Sequence, residues 1–177
     1  EIPGGEGMSA PTKKVMLGWH WLSEGRSLRF GDKAKVRTGR TLSADGALSL
    51  CVNGMHASPR ALDALQYAPG PIACRVELIG ERIDGGDKSV ARSRRVLWMV
   101  DATKTLHEFA CWCAEAGLKR EREAGREPDK RSWDAIRVKR RWLRGLASDK
   151  ELAAARDAAA AAARDAAWAA AWAAVGA

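Results

Sequence analysis

The apolar residues of this chain change their period once, near residue 105. Ahead of that point they alternate, as in Ile72, Cys74, Val76 and Leu78 against Ala73, Arg75, Glu77 and Ile79, which describes a half-buried strand. Beyond it, Leu106, Phe109, Ala110, Cys113 and Gly117 or Leu118 follow the roughly 3.6-residue period of an amphipathic helix, with Thr105 as a candidate cap. A pattern of period two cannot bury one face as a helix, and a pattern of 3.6 cannot do so as a strand. The chain is therefore expected to be α+β, a small mixed or antiparallel sheet with flanking helices.

Within the β-rich half, Leu50 to Glu81 holds the parts of one compact unit. Leu48 to Val52 reads as a strand leading into an Asn53-Gly54 turn. Ser58-Pro59 reads as an N-cap and first helical residue for a short helix through Ala61, Leu62, Ala64, Leu65 and Ala68. Pro69-Gly70-Pro71 ends that helix, because proline lacks the N–H and disfavours helix before it. Earlier, Val15 to Leu22 is a β-like run with His20 between Trp19 and Trp21, and Ser23 to Arg26 turns the chain into Leu28-Arg29-Phe30. Lys35 to Leu42 supplies a further short strand or extended loop. Val90 to Val100 supplies another strand after the Asp84-Gly85-Gly86-Asp87 loop.

Four segments follow. Residues 1–14 are Gly/Pro-rich and read as a flexible leader; 15–118 form the α+β domain; 119–131 are almost wholly charged and read as a linker; 132–177 form a helical basic and alanine-rich appendage. Ser132 is a candidate cap for the first helix of that appendage, and Ser148 with Glu151 three residues on is a capping box for the second. Alanine has the highest helix propensity, so the tail is expected to be one long helix. Its smooth face, with Trp168 and Trp172 one turn apart, suits packing on the domain or on another copy as a homo-oligomer.

The 177 residues carry a net charge of +8, which favours an anionic partner through phosphate neutralisation and counterion release. Cys51, Cys74, Cys111 and Cys113 lie in apolar contexts without a disulfide-scaffold or signal-peptide setting and are expected to be reduced. No apolar run approaches the roughly 20 residues that span a bilayer. A cytoplasmic protein without a membrane partner is the expectation. Cys111 and Cys113 are two apart on a helix and point to different faces, so joint metal ligation with His107 is poor geometry, and no metal is expected.

Gly18-Trp19-His20-Trp21-Leu22, Gly54-Met55-His56-Ala57-Ser58, Ala64 to Gly70, Asp87-Lys88 and Arg95-Val96-Leu97-Trp98, followed by the alanine/tryptophan tail, resemble an uncharacterised family of phage and prophage proteins. That resemblance implies a phage-encoded protein in a host cytoplasm and carries no activity. A remoter one covers about Leu17 to Asp101. A His on the first strand, Gly-x-aromatic-x-Ser before a helix, Tyr67-Ala68 and a Val76-x-Leu78-x-Gly80 strand are similar to ADP-ribosyltransferases of the rifampin-modifying and poly(ADP-ribose) polymerase types. The resemblance implies that His20 holds the ribose of NAD and that His56 stands where an aromatic stacks on nicotinamide, so His20 and His56 are the catalytic candidates. His20, His56, Ser58, Tyr67 and Arg95 are the NAD-binding candidates. The third family position, an acidic residue, falls near Arg94-Arg95. A guanidinium there repels positive charge developing on a sugar, so a phosphate-binding pocket is as compatible with the pattern as a catalytic one.

Two functions follow as expectations. One is a nucleotide-binding cleft of the ADP-ribosyltransferase kind that modifies a host target or nucleic acid. The other is a non-catalytic basic protein that binds nucleic acid or inhibits a host defence complex, using Arg92, Arg94, Arg95, Arg137, Arg140, Arg141 and Arg144 on phosphates beside tryptophans that stack on bases.

Overall fold

A computed structural model describes residues 15–29 and 33–175, and the side chains among these up to residue 172. The expected leader at 1–14 and the end of the Leu28-Arg29-Phe30 segment lie outside the described residues. The chain divides into two compact units, Glu1–Ala102 and Thr103–Ala177. The boundary thus falls ahead of the helix that the sequence places inside the first domain, and not at 118.

The first unit is an antiparallel sheet built on one long hairpin. β4 (Ile72–Asp84) and β5 (Ser89–Asp101) are 13 residues each and pair from Ile72 with Asp101 to Asp84 with Ser89. β4 therefore runs past the expected end at Ile79, through an irregularity at Gly80 and Glu81, into the Gly85-Gly86 turn. β1 (Met16–Leu22) lies on the free edge of β4, while β2 (Thr41–Ser43) and β3 (Met55–Ala57) share the free edge of β5. Alternation sends Leu22, Ile72, Cys74, Val76, Leu78 and Val96 to one face, where they form the core with Val36, Ala57 and Ala91. Each Leu or Val side chain fully removed from water there contributes about 1.5–3 kcal/mol.

β3 also reaches back toward β1. Trp19 N donates to Ser58 O at 2.7 Å and Ser58 N to Trp19 O at 3.0 Å. Gly18 permits that approach, since a Cβ there would stand 2.9 Å from the Ala57 Cβ and 3.0 Å from Ser58 O. Ser58 is thus a sheet residue and not an N-cap. The short helix α1 (Ala61–Leu65) begins at an Arg60 cap that makes no side-chain bond. Leu48 to Val52 is likewise no strand: Ser49 and Asn53 bridge each other around Cys51, whose φ of 67° no regular strand accommodates.

The second unit comprises α2 (Thr103–Glu123), α3 (Lys130–Leu143) and α4 (Asp149–Val175). Part of the expected charged linker is helix: Lys119 to Glu123 end α2, and Lys130 and Arg131 begin α3. The loop beyond is tied by Arg122 to Glu127 at 2.7 Å and Arg126 to Glu121 at 2.6 Å. α3 is capped by Asp129, whose carboxylate accepts from Arg131 N, rather than by Ser132. The Ser148 and Glu151 capping box forms as the spacing predicts, with Ser148 N donating to Glu151 Oε2 at 2.7 Å and Glu151 N to Ser148 Oγ at 3.2 Å. Arg131 bonds Asp165 at 2.7 Å, and beyond that pair α4 is exposed through Trp168 and Trp172. Among the described residues no helix is long and apolar enough to cross a membrane. None of the four cysteines is in a disulfide.

Candidate functional site

The core face of the sheet is not filled from end to end. Between β1, β3 and the loops before β2 and β3 lies a cavity of about 670 Å³, within the range typical of small-molecule sites. Both candidate imidazoles line it, as do Ser58, Tyr67 and Arg94. The charged residues of the lining are Arg29, Lys88 and Arg94; no carboxylate stands among the described lining residues.

His20 reaches this cavity because strand alternation places it on the face of Cys74, its partner across β1 and β4. The two flanking tryptophans do not enclose it. Trp19 points to the opposite face, packs edge-on against Trp98 with ring centroids 5.6 Å apart, and carries the Arg75 guanidinium 5.0 Å above its ring. Trp21 donates from Nε1 to Ala61 O of α1 at 3.4 Å. Burial holds the His20 ring well below the ordinary imidazole pKa, and the Arg94 charge and His56 push the same way, so the ring is neutral at neutral pH.

His56 is held differently. Its Nε2 accepts from Cys51 N at 3.0 Å and its Nδ1 lies 3.1 Å from Gly54 O, to which it donates. That pair of bonds specifies the neutral Nδ1–H tautomer. Burial is the main cause that lowers its pKa; the bond to Gly54 opposes it, and the smaller effects of the Lys88 and Arg94 charges lower it further. The ring therefore staples the loop that walls the cavity, with both nitrogens occupied. This is a lining and shaping role, and it leaves no ring nitrogen for proton transfer.

Arg94 is the residue whose position the basic-cluster reading misplaces. It is 3% exposed, sits on the core face opposite Leu78, and donates from Nη1 to His56 O at 2.6 Å. Among the described residues no acidic side chain pairs with it. Burial brings the guanidinium down to about 10, still charged at pH 7, and the same burial pushes the neighbouring Cys74 thiol up to about 11. Arg95 faces the other way and pairs with Glu77 across the sheet at 2.6 Å, so the structure does not bring it to the cavity.

At the rim, Tyr67 is exposed. Its hydroxyl donates to Asp87 Oδ2 at 2.5 Å, Gln66 Nε2 donates to the same oxygen at 2.8 Å, and the Lys88 ammonium lies 3.8 Å from its ring centroid. The bond to Asp87 raises the phenol pKa above its usual value. Lys88 and Cys51 are cavity residues that sequence reasoning left out. The Asp87-Lys88 pair beside the tyrosine was the available signal, and only the pairing of β4 with β5 shows that it returns to Tyr67.

The remaining candidate arginines, Arg144 excepted, are engaged within the protein. Arg92 donates to Ala44 O and Gly46 O and pairs with Glu81 at 2.9 Å. Arg137 pairs with Asp134 at 2.7 Å, and Arg140 with Glu115 at 2.6 Å. Arg141 donates to Leu146 O at 2.8 Å, while Arg144 is exposed at the C-cap of α3. The tryptophans beside them are covered: Arg122 stacks on Trp133 at 4.7 Å and Lys139 on Trp142 at 3.8 Å. Among the described residues no group of three or more His, Cys, Asp or Glu converges on a point.

Family models, curated proteins and solved structures were compared with this chain, and none matches it.

Proposed function

We propose that the first unit is a nucleotide-binding module of the ADP-ribosyltransferase kind in a phage-derived protein, and that NAD or a related nucleotide enters the cavity lined by His20, Tyr67 and Arg94. The observation that carries this reading is a cavity of about 670 Å³ with a buried guanidinium set into it and no described carboxylate to neutralise it. An uncompensated cation in a low-dielectric wall attracts an anionic ligand far more than an exposed one does. His20, neutral and inside, offers a hydroxyl of such a ligand one donor and one acceptor.

The same lining favours binding over glycosidic cleavage. An oxocarbenium-like state needs a nearby negative charge, and the charges at hand are positive. The module would then present or sequester its nucleotide, with any host protein or nucleic acid acting as a partner of the loaded form. Ion-paired surface arginines favour a small anion in the cavity over a polyanion laid across the outside. Calorimetric titration with NAD tests the reading: sub-millimolar binding that weakens at least about tenfold in His20→Ala is expected. No heat at millimolar NAD, with the sheet intact, ends it.

A further inference from the structure

Resting on that reading, we infer that the inner end of the cavity is a seat for a terminal oxyanion, the phosphate monoester of a mononucleotide, held by Arg94 with His20 beside it. Arg94 uses Nη1 on His56 O, and among the described residues no other hydrogen bond or ion pair engages it. A guanidinium has five N–H donors in a planar fork matched to two oxygens of one phosphate. Most of those donors are thus left for the occupant of the cavity that Arg94 lines.

The argument for a terminal group is geometric. Arg94 shares the inner end with Ser58, Ala57 and Leu22, which are 1–3% exposed, whereas the residues of the mouth, Val52 and Tyr67, are 82% and 43% exposed. A ligand reaching Arg94 therefore ends there. A bridging diphosphate, with a nucleoside on each side, would have to continue past it through closed core. Lys88 at the mouth supplies a second cation without a described carboxylate partner, suited to a charge further along the ligand. The neutral His20 ring adds a donor to the phosphate without adding a charge that a dianion would have to share. No bond is made or broken in this step; the seat recognises its ligand.

The test is calorimetry on the full chain with adenosine, AMP, NAD and inorganic phosphate, repeated on Arg94→Met and Arg94→Lys. The expected result is AMP binding at least about tenfold tighter than adenosine, that preference vanishing in Arg94→Met and falling to an intermediate value in Arg94→Lys, which keeps the charge and loses the fork. Should Arg94→Met fail to fold, as judged by the amide spectrum of β4 and β5, Arg94→Lys and the adenosine-to-AMP ratio of the wild type decide. Equal affinity for adenosine and AMP overturns the inference, as does a preference that survives loss of Arg94. NAD, which has only a bridging diphosphate, is expected to bind more weakly than AMP and with little dependence on Arg94; NAD binding tighter than AMP and lost in Arg94→Met overturns the inference while sparing the nucleotide-binding reading. Inorganic phosphate binding through Arg94, with neither AMP nor NAD bound, keeps the oxyanion seat and ends that reading.

Discussion

Acidification from pH 7.5 to 5.5 should loosen the first unit, through imidazoles that the fold keeps neutral. The chain has three histidines, and His20 is the most buried of them, with a pKa held well below 6.5 by desolvation and by the Arg94 charge. A native-state pKa below the unfolded one means that the unfolded chain binds more protons in the interval between them. Stability is then complete above about 6.5 and falls as pH drops through that interval. At pH 5.5 an unfolded histidine is protonated about ten to one, so a ring that stays neutral in the native state costs RT ln 11, about 1.4 kcal/mol. His56 shifts the same way and adds to the loss in the same direction. The His20 share alone, about 1.4 kcal/mol, is a sizeable part of a typical domain's 5–15 kcal/mol. Urea titrations followed by the amide NMR cross-peaks of β4 and β5 confine the reading to this unit and exclude His107, which lies on α2. His20→Asn should remove most of the difference between the two pH values. An unchanged urea midpoint between pH 7.5 and 5.5, or a His20→Asn protein with the full wild-type slope, refutes the reasoning.

Two further outcomes follow from the loop that His56 staples. Gly54→Ala should destabilise the unit by about 3 kcal/mol, because the new Cβ would clash with Val90 Cγ2 at a φ of 123° that other residues rarely adopt; a urea midpoint within error of wild type disproves it. His56→Ala should cost about 2 kcal/mol for two bonds of about 1 kcal/mol each, and nitrogen-15 shifts of the wild-type ring at pH 7.5 should report the Nδ1–H tautomer. A variant that keeps its stability yet loses nucleotide would make the ring a ligand contact and not a staple.

The strands of this fold were legible where one face is buried and the other is not. β4 alternates because it packs one side on the core, and the parity of Ile72, Cys74, Val76 and Leu78 assigns the inward set. Residues 48–52 show the same composition without the parity test being available, and there the chain turns around Cys51 instead of extending. The charged stretch at 119–131 misled for a related reason. High charge is compatible with helix when i to i+4 pairs such as Glu115 with Lys119 and loop pairs such as Arg122 with Glu127 absorb it, and a linker reading ignores those partners. The Ser148 box succeeded because its two bonds are local and need no tertiary context.

The site was half legible, and the missing half shows what to look for. That His20 and His56 meet follows from strand parity for one and from the Asn53-Gly54 turn for the other. Arg94 was counted with Arg92 and Arg95 as one basic cluster, yet neighbours on a strand face opposite ways, so parity separates Arg94, in phase with the buried Val96, from Arg95, while Arg92 shares the phase of Arg94 and is set apart by its bonds to Ala44 O, Gly46 O and Glu81. An arginine in phase with the core of a strand has to find a buried carboxylate, distort the strand or line a cavity. β4 offers Leu78 across from Arg94 and places Glu77 on the other face, where it takes Arg95. With the acid spent on the outward arginine, the inward one is left with a carbonyl and open space. The pairing register thereby converts an apparent surface patch into an anion-seeking group under the sheet.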